Sequence, residues 1–299
     1  MSPTAAPSVP RLRHVQCLGA RGLHRMAYWE WGDPANPRVL VCVHGLSRQG
    51  RDFDTLAQAM QDRYRVVCPD VVGRGQSDHL ADPTGYQVPA YVADMVTLLA
   101  RLDAGRVDWV GTSMGGLIGM GLAALPKSPV ARLVLNDVGP TIQPEALTRI
   151  GSYVGLPMTW PTLEAAAEYL WSISQGFGPH SPAQWLALTR PMLKPVTGVD
   201  GQPAWAPHYD PAIAVPFRAL TPAIAAAGEA LLWQSYDALR MPTLLLRGAE
   251  SDLLTRDTAL AMTQRGPRAE LREFAGVGHA PTLVQPEQVA VVREFLLRA

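Results

Sequence analysis

Short apolar runs alternate along this chain with longer segments of helical spacing. The run at residues 39–43 is entirely apolar, which is typical of a strand buried on both faces of a parallel sheet. Further strands are predicted at 65–71, 107–112, 131–136, 243–247 and 270–274. Helices are predicted between them and at the end of the chain, at 52–61, 90–102, 117–125, 256–264 and 285–297. This order indicates the α/β class, with a mostly parallel sheet flanked by helices.

Two strands open this pattern, at residues 12–18 and 25–31, and we expect them to form an antiparallel edge of the sheet. They bring the predicted sheet to eight strands. Residues 1–10 lack the basic and apolar regions of a signal peptide, and we interpret them as a disordered tail.

The alternation stops at Gly139 and resumes near residue 239. The segment 139–238 is rich in Pro, Trp and Ala and shows no strand alternation. Short helices are predicted in it at 144–152, 162–173, 182–190 and 225–237. Because this segment follows the sixth strand, we expect a helical cap, or lid, over a core formed by residues 11–138 and 239–299.

Composition and charge narrow the class of protein. The 299 residues are 47% hydrophobic, and 26 basic side chains balance 26 acidic ones. A net charge of zero argues against a nucleic-acid partner, and no apolar run is long enough to predict a membrane span. The three cysteines lack paired spacing, so we expect no disulfide or metal site and a cytoplasmic location. A small molecule is the expected partner, bound by a monomer or homodimer.

Residues 107–116 carry the most informative motif. An apolar strand ends in Gly111-Thr-Ser113-Met-Gly115 and continues directly into an apolar helix. This strand–turn–helix context is the one that a nucleophile elbow requires. The glycines permit the tight turn, and the helix directs its first N–H groups toward developing negative charge. We therefore predict that Ser113 is a nucleophile.

A serine hydroxyl requires a base, and a base of this kind requires a carboxylate. His279 is favoured as the base because it lies in a glycine-rich loop between the last strand and the last helix. His79 and His208 are weaker alternatives. Two aspartates follow strand ends: Asp252 is preferred as the acid, and Asp137 is the alternative. Glu250 is a third candidate.

The turn after the buried strand at 39–43 is predicted to hold the developing oxyanion. It begins with His44 and Gly45, and the backbone N–H groups of Leu46 and Met114 are the expected donors. His44 is expected to organise this loop by hydrogen bonds without exchanging a proton in the reaction.

A few further residues are candidates for contact with substrate. Arg48 and Arg74 lie in loops beside the predicted site, where either could bind a substrate carboxylate. Trp160 is the tryptophan of the cap segment that we expect to contact substrate. The loop at 70–78 is glycine-rich, but it lacks the Lys-Ser/Thr pair of a phosphate-binding loop.

With Ser113, His279, Asp252 and the His44-Gly45 turn assembled, the chain resembles the α/β-hydrolase superfamily, and in particular its small bacterial serine esterases and lactonases with a helical cap. The resemblance extends from about residue 20 to the end of the chain. It implies a Ser-His-Asp triad on these three residues and no cofactor. Haloalkane dehalogenases and epoxide hydrolases of this fold carry an aspartate at the elbow, where this chain has Ser113.

The resemblance implies hydrolysis of a small carboxylic ester or lactone through an acyl-enzyme intermediate. Other activities of the same fold stay open, namely carbon–carbon bond hydrolysis and perhydrolase or acyltransferase chemistry. A non-catalytic small-molecule receptor is the alternative from a different class.

Overall fold

The structure of the protein is a computed structural model that describes residues 9–219 and 221–298. Most of the predicted tail, residues 1–8, lies outside the described residues. The strands within the described residues are β1 (Arg11–Gly19), β2 (Gly22–Trp31), β3 (Val39–Val43), β4 (Arg65–Pro69), β5 (Val107–Thr112), β6 (Val130–Asn136), β7 (Leu193–Thr197), β8 (Pro203–Pro207), β9 (Thr243–Gly248) and β10 (Glu270–Phe274).

Helices separate most of these strands. They are α1 (Asp54–Met60), α2 (Val88–Leu102), α3 (Met114–Ala123), α4 (Pro144–Tyr153), α5 (Leu163–Ile173), α6 (Pro182–Thr189), α7 (Val215–Arg218), α8 (Pro222–Ala238), α9 (Arg256–Gln264) and α10 (Pro286–Leu297). Within the described ranges no single helix is long and apolar enough to cross a membrane. One bent pair, Pro211–Arg218 with α8, meets the test together by length and composition alone.

Eight strands form the central sheet, in the order β1-β2-β4-β3-β5-β6-β9-β10. From β4 to β10 all neighbours are parallel, and β2 pairs antiparallel with both β1 and β4. The predicted fold class is therefore confirmed, including the antiparallel edge. The parallel order also brings the carboxyl ends of β3, β5, β6, β9 and β10 to one edge of the sheet, where ligands bind in folds of this kind.

The hydrophobic core lies on both faces of the sheet. Successive residues of β3 alternate between two clusters: Val41 belongs to the first, and Leu40 and Cys42 belong to the second. All five side chains of β3 are buried. An all-apolar strand is the expected sequence for this position, since neither face of the strand contacts water.

The segment between β6 and β9 contains α4, α5, α6 and α8 near the four predicted helices, but it also contains α7 and a hairpin, which the sequence pattern did not predict. β7 and β8 pair antiparallel in a separate two-stranded sheet. Prolines in both strands conceal the strand pattern, because proline is unusual in most strands. They are tolerated here because both strands of a two-stranded hairpin are edge strands. Trp160 joins this hairpin through backbone hydrogen bonds in both directions with Trp205.

Candidate active site

Ser113 lies at the sharp turn between β5 and α3. Its backbone has φ 52° and ψ −117°, a conformation that costs energy in a residue with a side chain. The neighbouring glycines are sterically required: a Cβ at Gly111 would lie 2.3 Å from the Gly115 carbonyl oxygen. At Gly115 it would lie 1.9 Å from the carbonyl oxygen of Val43. The turn therefore has the geometry expected of a nucleophile elbow.

His279 lies in the loop between β10 and α10, with its ring against Ser113. The Ser113 hydroxyl lies 3.0 Å from His279 Nε2, within hydrogen-bond distance. The loop packs closely on the end of β9, where a Cβ at Gly248 would lie 2.1 Å from the Gly278 carbonyl oxygen. The base and the nucleophile predicted from the sequence are thus brought together.

Asp137 contacts the second ring nitrogen of His279, Nδ1. Its Oδ2 lies 2.6 Å from His279 Nδ1, and since a carboxylate only accepts, the ring nitrogen is the donor. The carboxylate is fully buried and also accepts hydrogen bonds from the Ser251 hydroxyl and the Gly248 backbone N–H. These bonds fix the carboxylate, and through it the tautomer and orientation of the imidazole.

The expected contact between Asp252 and His279 is absent, which corrects the preferred assignment of the acid. Asp252 instead forms a two-fold hydrogen-bonded ion pair with Arg149 of α4, and both side chains are about half exposed. Glu250 does not contact the imidazole either; its backbone N–H donates to Val277. Because β6 and β9 are adjacent in the sheet, both loops end near His279, and chain order alone could not separate Asp137 from Asp252.

The loop after β3 lies beside the serine, where a Cβ at Gly45 would lie 3.7 Å from Ser113 Cβ. His44 organises this loop: its Nδ1 donates to the Gly45 carbonyl at 2.7 Å, and its Nε2 accepts from the Val71 N–H at 2.9 Å. The Gly45 carbonyl and the Leu46 N–H belong to one planar trans peptide and point in opposite directions. Holding the carbonyl therefore sets the direction of the Leu46 N–H, one of the two predicted oxyanion donors.

The imidazole of His44 is neutral. Complete burial lowers its pKa to about 3, because it disfavours the charged form and Arg74 and Arg48 both oppose a positive charge. Its role is therefore to arrange the backbone. The other predicted donor, the N–H of Met114, belongs to the first residue of α3, where helix N–H groups lack intrahelical acceptors.

Arg74 does not contact the space around Ser113 and cannot bind substrate there. Its side chain is completely buried and donates to the carbonyls of Leu46 and Val72 and to the Tyr91 hydroxyl. Arg74 thus stabilises the loop after β3 through the Leu46 carbonyl, and of the two candidate arginines only Arg48 lines the cavity over Ser113.

A cavity of about 680 Å³ opens over Ser113 and His279. Its walls are largely apolar and include Leu46, Phe53, Ile150, Trp160, Phe177 and Met192. The charged side chains that line it are Arg48, Asp52, Arg149, Glu250 and Asp252. Sequence reasoning missed Asp52 and Arg149, since neither lies in a motif. The volume is in the usual range for a small-molecule site.

A separate group of three side chains, within the described residues, has atoms close together that could bind a metal ion. Cys17, His24 and Asp94 have donor atoms within 4.8 Å of one another and are all buried. They lie on β1, β2 and α2, and none of them lines the cavity over Ser113.

Comparison with known proteins agrees with this geometry. Residues 40–292 match the model of the alpha/beta hydrolase family. A 3-hydroxybutyrate-oligomer hydrolase from Cupriavidus necator is 60% identical over 97% of this chain and 99% of its own length. A 2-(acetamidomethylene)succinate hydrolase from Mesorhizobium japonicum is 28% identical over 83% of this chain and 84% of its own. The crystal structure of an alpha/beta hydrolase from Novosphingobium aromaticivorans superimposes with a TM-score of 0.83 at 38% identity, covering 97% and 99% of the two chains.

The chain belongs to the alpha/beta hydrolase family. It is an enzyme, and the reaction class is hydrolysis. The resemblance seen in the sequence is thereby confirmed at the level of family and fold.

Proposed function

We propose that this enzyme hydrolyses the ester bonds of 3-hydroxybutyrate oligomers through Ser113, His279 and Asp137. The observation that carries the chemistry is the unbroken row of hydrogen bonds from the Ser113 hydroxyl through His279 to Asp137, at 3.0 and 2.6 Å. The full-length similarity to the Cupriavidus necator enzyme supports the choice of substrate. It also favours linear oligomers over the cyclic lactones that the same chemistry would accept.

In the first step Ser113 Oγ attacks the ester carbonyl carbon while His279 Nε2 takes the hydroxyl proton. Negative charge moves to the carbonyl oxygen, which is stabilised by the N–H groups of Leu46 and Met114. Each such donor contributes about 3 kcal/mol to the transition state. The carbon–oxygen bond to the alcohol then breaks, and the imidazolium returns its proton to the leaving alkoxide. Ser113 keeps the 3-hydroxyacyl group as an ester.

In the second step His279 accepts a proton from water, which attacks the acyl-enzyme carbonyl. The second tetrahedral intermediate uses the same two donors. It collapses to release the carboxylic acid, and Ser113 recovers its proton from His279. Asp137 stays ionised throughout and stabilises the imidazolium in both steps.

The cavity suits this substrate. A 3-hydroxybutyrate unit carries one methyl branch and few polar atoms besides its ester, and the apolar walls formed by Phe53, Ile150 and Trp160 match that surface. Burial of these methyl groups favours binding in proportion to the area removed from water.

The test is hydrolysis of the dimer and trimer of 3-hydroxybutyrate, with released monomer measured by chromatography. We expect turnover by the wild type and none above background by Ser113→Ala. p-Nitrophenyl butyrate is the comparison ester. An enzyme that cleaves p-nitrophenyl butyrate through Ser113 but neither oligomer would contradict the substrate while leaving the chemistry intact.

A further inference from the structure

We propose that Arg48 is the binding site for the free carboxylate of the substrate, on the side of the leaving alcohol. This inference rests on the proposed function. When a 3-hydroxybutyrate dimer is cleaved, the leaving alcohol is itself a 3-hydroxy acid. Its carboxylate is separated from the ester oxygen by a short carbon chain. A cation close to Ser113 would pair with this carboxylate.

Arg48 has the required position. A Cβ at Gly45 would lie 3.7 Å from both Arg48 Cγ and Ser113 Cβ, so the arginine stem and the nucleophile contact the same glycine. The Arg48 side chain follows Leu46, the expected oxyanion donor, by two residues in the chain. It lines the cavity wall and is only 13% exposed.

The orientation of the guanidinium is set before substrate binds. Nε and Nη2 donate to the two carboxylate oxygens of Asp52, at 2.5 and 2.9 Å. This paired geometry fixes the plane of the guanidinium. The group also lies over the ring of Phe177, with 5.7 Å from the guanidinium carbon to the ring centroid. Little rotamer entropy is then lost on binding.

The third nitrogen of Arg48, Nη1, takes no part in the pair with Asp52. Within the described residues Nη1 has the Met192 sulfur as its partner, and a thioether is a weak acceptor. A substrate carboxylate oxygen is a much stronger acceptor for a guanidinium. Since Asp52 already balances the charge, Arg48 offers a directed, charge-assisted hydrogen bond rather than an unpaired charge.

Arg149 also lines the cavity, and its environment differs from that of Arg48. Its ion pair with Asp252 is about half exposed at the rim, where water competes for both partners. An exposed ion pair of this kind contributes little free energy. Arg149 therefore provides a matched control, because it is also an arginine paired with an aspartate beside the same cavity.

The test compares two dimers that share the same scissile ester. One has the free carboxylate, and the other carries an N-methylamide in its place. We expect the ratio of kcat/KM for the free acid to that for the amide to fall roughly tenfold to a hundredfold in Arg48→Met, the usual range for a hydrogen bond to a charged group. The ratio should stay within about twofold of wild type in Arg149→Met.

Arg48→Met leaves Asp52 buried without its partner, so the double variant Arg48→Met/Asp52→Asn serves as the second measurement and should show the same fall in the ratio. An unchanged ratio in both Arg48 variants, or an equal fall in Arg149→Met, would overturn the carboxylate site. A ratio near one in the wild type would also overturn the carboxylate site, but it would leave the proposed hydrolysis of the oligomers intact. Failure of the wild type to cleave either dimer would instead overturn the proposed function.

Discussion

In the described part of the chain, the groups around Ser113 and around Cys17 each combine an aspartate, a histidine and a potential nucleophile, but they differ in the features expected of an active site. In the first, Asp137 and His279 face Ser113 at the carboxyl edge of the sheet. In the second, His24 Nε2 lies 2.9 Å from Asp94, and Cys17 is the neighbour of both. The residue types and the imidazole–carboxylate distance are similar, so these alone do not distinguish a catalytic group.

The difference lies in the backbone and in access. Ser113 occupies a turn with positive φ and lines a cavity. Cys17 lies within β1, directly opposite His24 in the strand register, and is completely buried. Burial, reinforced by Asp94, raises the pKa of the Cys17 thiol to about 12, so the reactive thiolate does not form near neutral pH.

The largest effect that tests this contrast is loss of the nucleophile. Ser113→Ala should reduce kcat on p-nitrophenyl butyrate by up to a factor on the order of 10⁶. The matched change at the buried group, Cys17→Ala, should leave kcat within about twofold, because the thiol contacts no substrate. Steady-state kinetics with both variants measures the contrast. Comparable losses in the two variants would mean that the buried group takes part in the reaction.

The second largest expected effect is that of replacing the acid, Asp137. Asp137→Asn should lower kcat by a factor on the order of 10⁴, because an amide no longer stabilises the imidazolium or enforces the productive tautomer of His279. Asp252→Asn, the matched change at the residue that sequence reasoning preferred, should alter kcat by less than about threefold, since it breaks only an exposed ion pair. Circular dichroism of both variants is the control for folding. The reverse ranking would restore Asp252 as the acid.

A third histidine, His44, sharpens the comparison because it is completely buried beside two arginines, Arg74 and Arg48. Its pKa is about 3 in the folded protein against 6.5 ordinarily, so below pH 6.5 the unfolded chain binds a proton that the folded protein does not. The free energy of unfolding should therefore decrease as the pH falls, by roughly 2 kcal/mol between pH 6.5 and 5 from this group.

Urea denaturation of wild type and His44→Asn at several pH values isolates that contribution. Asp70 acts in the opposite direction, since burial raises its pKa to about 6, and the difference between the two proteins removes it. Parallel curves for wild type and variant between pH 6.5 and 5 would contradict a neutral, buried His44.

The last prediction concerns Asp94, the buried partner of His24. Asp94→Asn replaces the charged partner of His24 and should lower the free energy of unfolding by about 1–3 kcal/mol, with kcat unchanged. Thermal denaturation should show a decrease in Tm of about 2–4 °C for each kcal/mol. A loss of activity without a change in Tm would indicate that this pair is linked to the reaction.

Two of the three residues of the candidate site could be predicted from the sequence, each for a physical reason. Ser113 was predictable because its glycines are required sterically, and His279 because its loop has a fixed place relative to the strands. The acid was not, since it depends on which of two adjacent loops points its carboxylate at the imidazole. Asp137 does so from a backbone with φ 55°, a property that no pattern of residue types reveals.

The hairpin of β7 and β8 and the pairing of Arg48 with Asp52 were also beyond prediction. The hairpin strands carry prolines that suppress the usual alternation. Arg48 was recognised as a candidate from its loop, but the orientation of its guanidinium depends on Asp52 and Met192, and Met192 lies in a distant part of the chain.

Covalent labelling tests the central claim most directly. The protein is incubated with a fluorophosphonate, which reacts with activated serines, and the modified peptide is identified by mass spectrometry. We expect one adduct, on the peptide that contains Ser113, with loss of esterase activity in proportion to labelling and no adduct in Ser113→Ala. Full esterase activity in the labelled protein, or an adduct on a different residue that accounts for the inhibition, would contradict the assignment of Ser113 as the nucleophile.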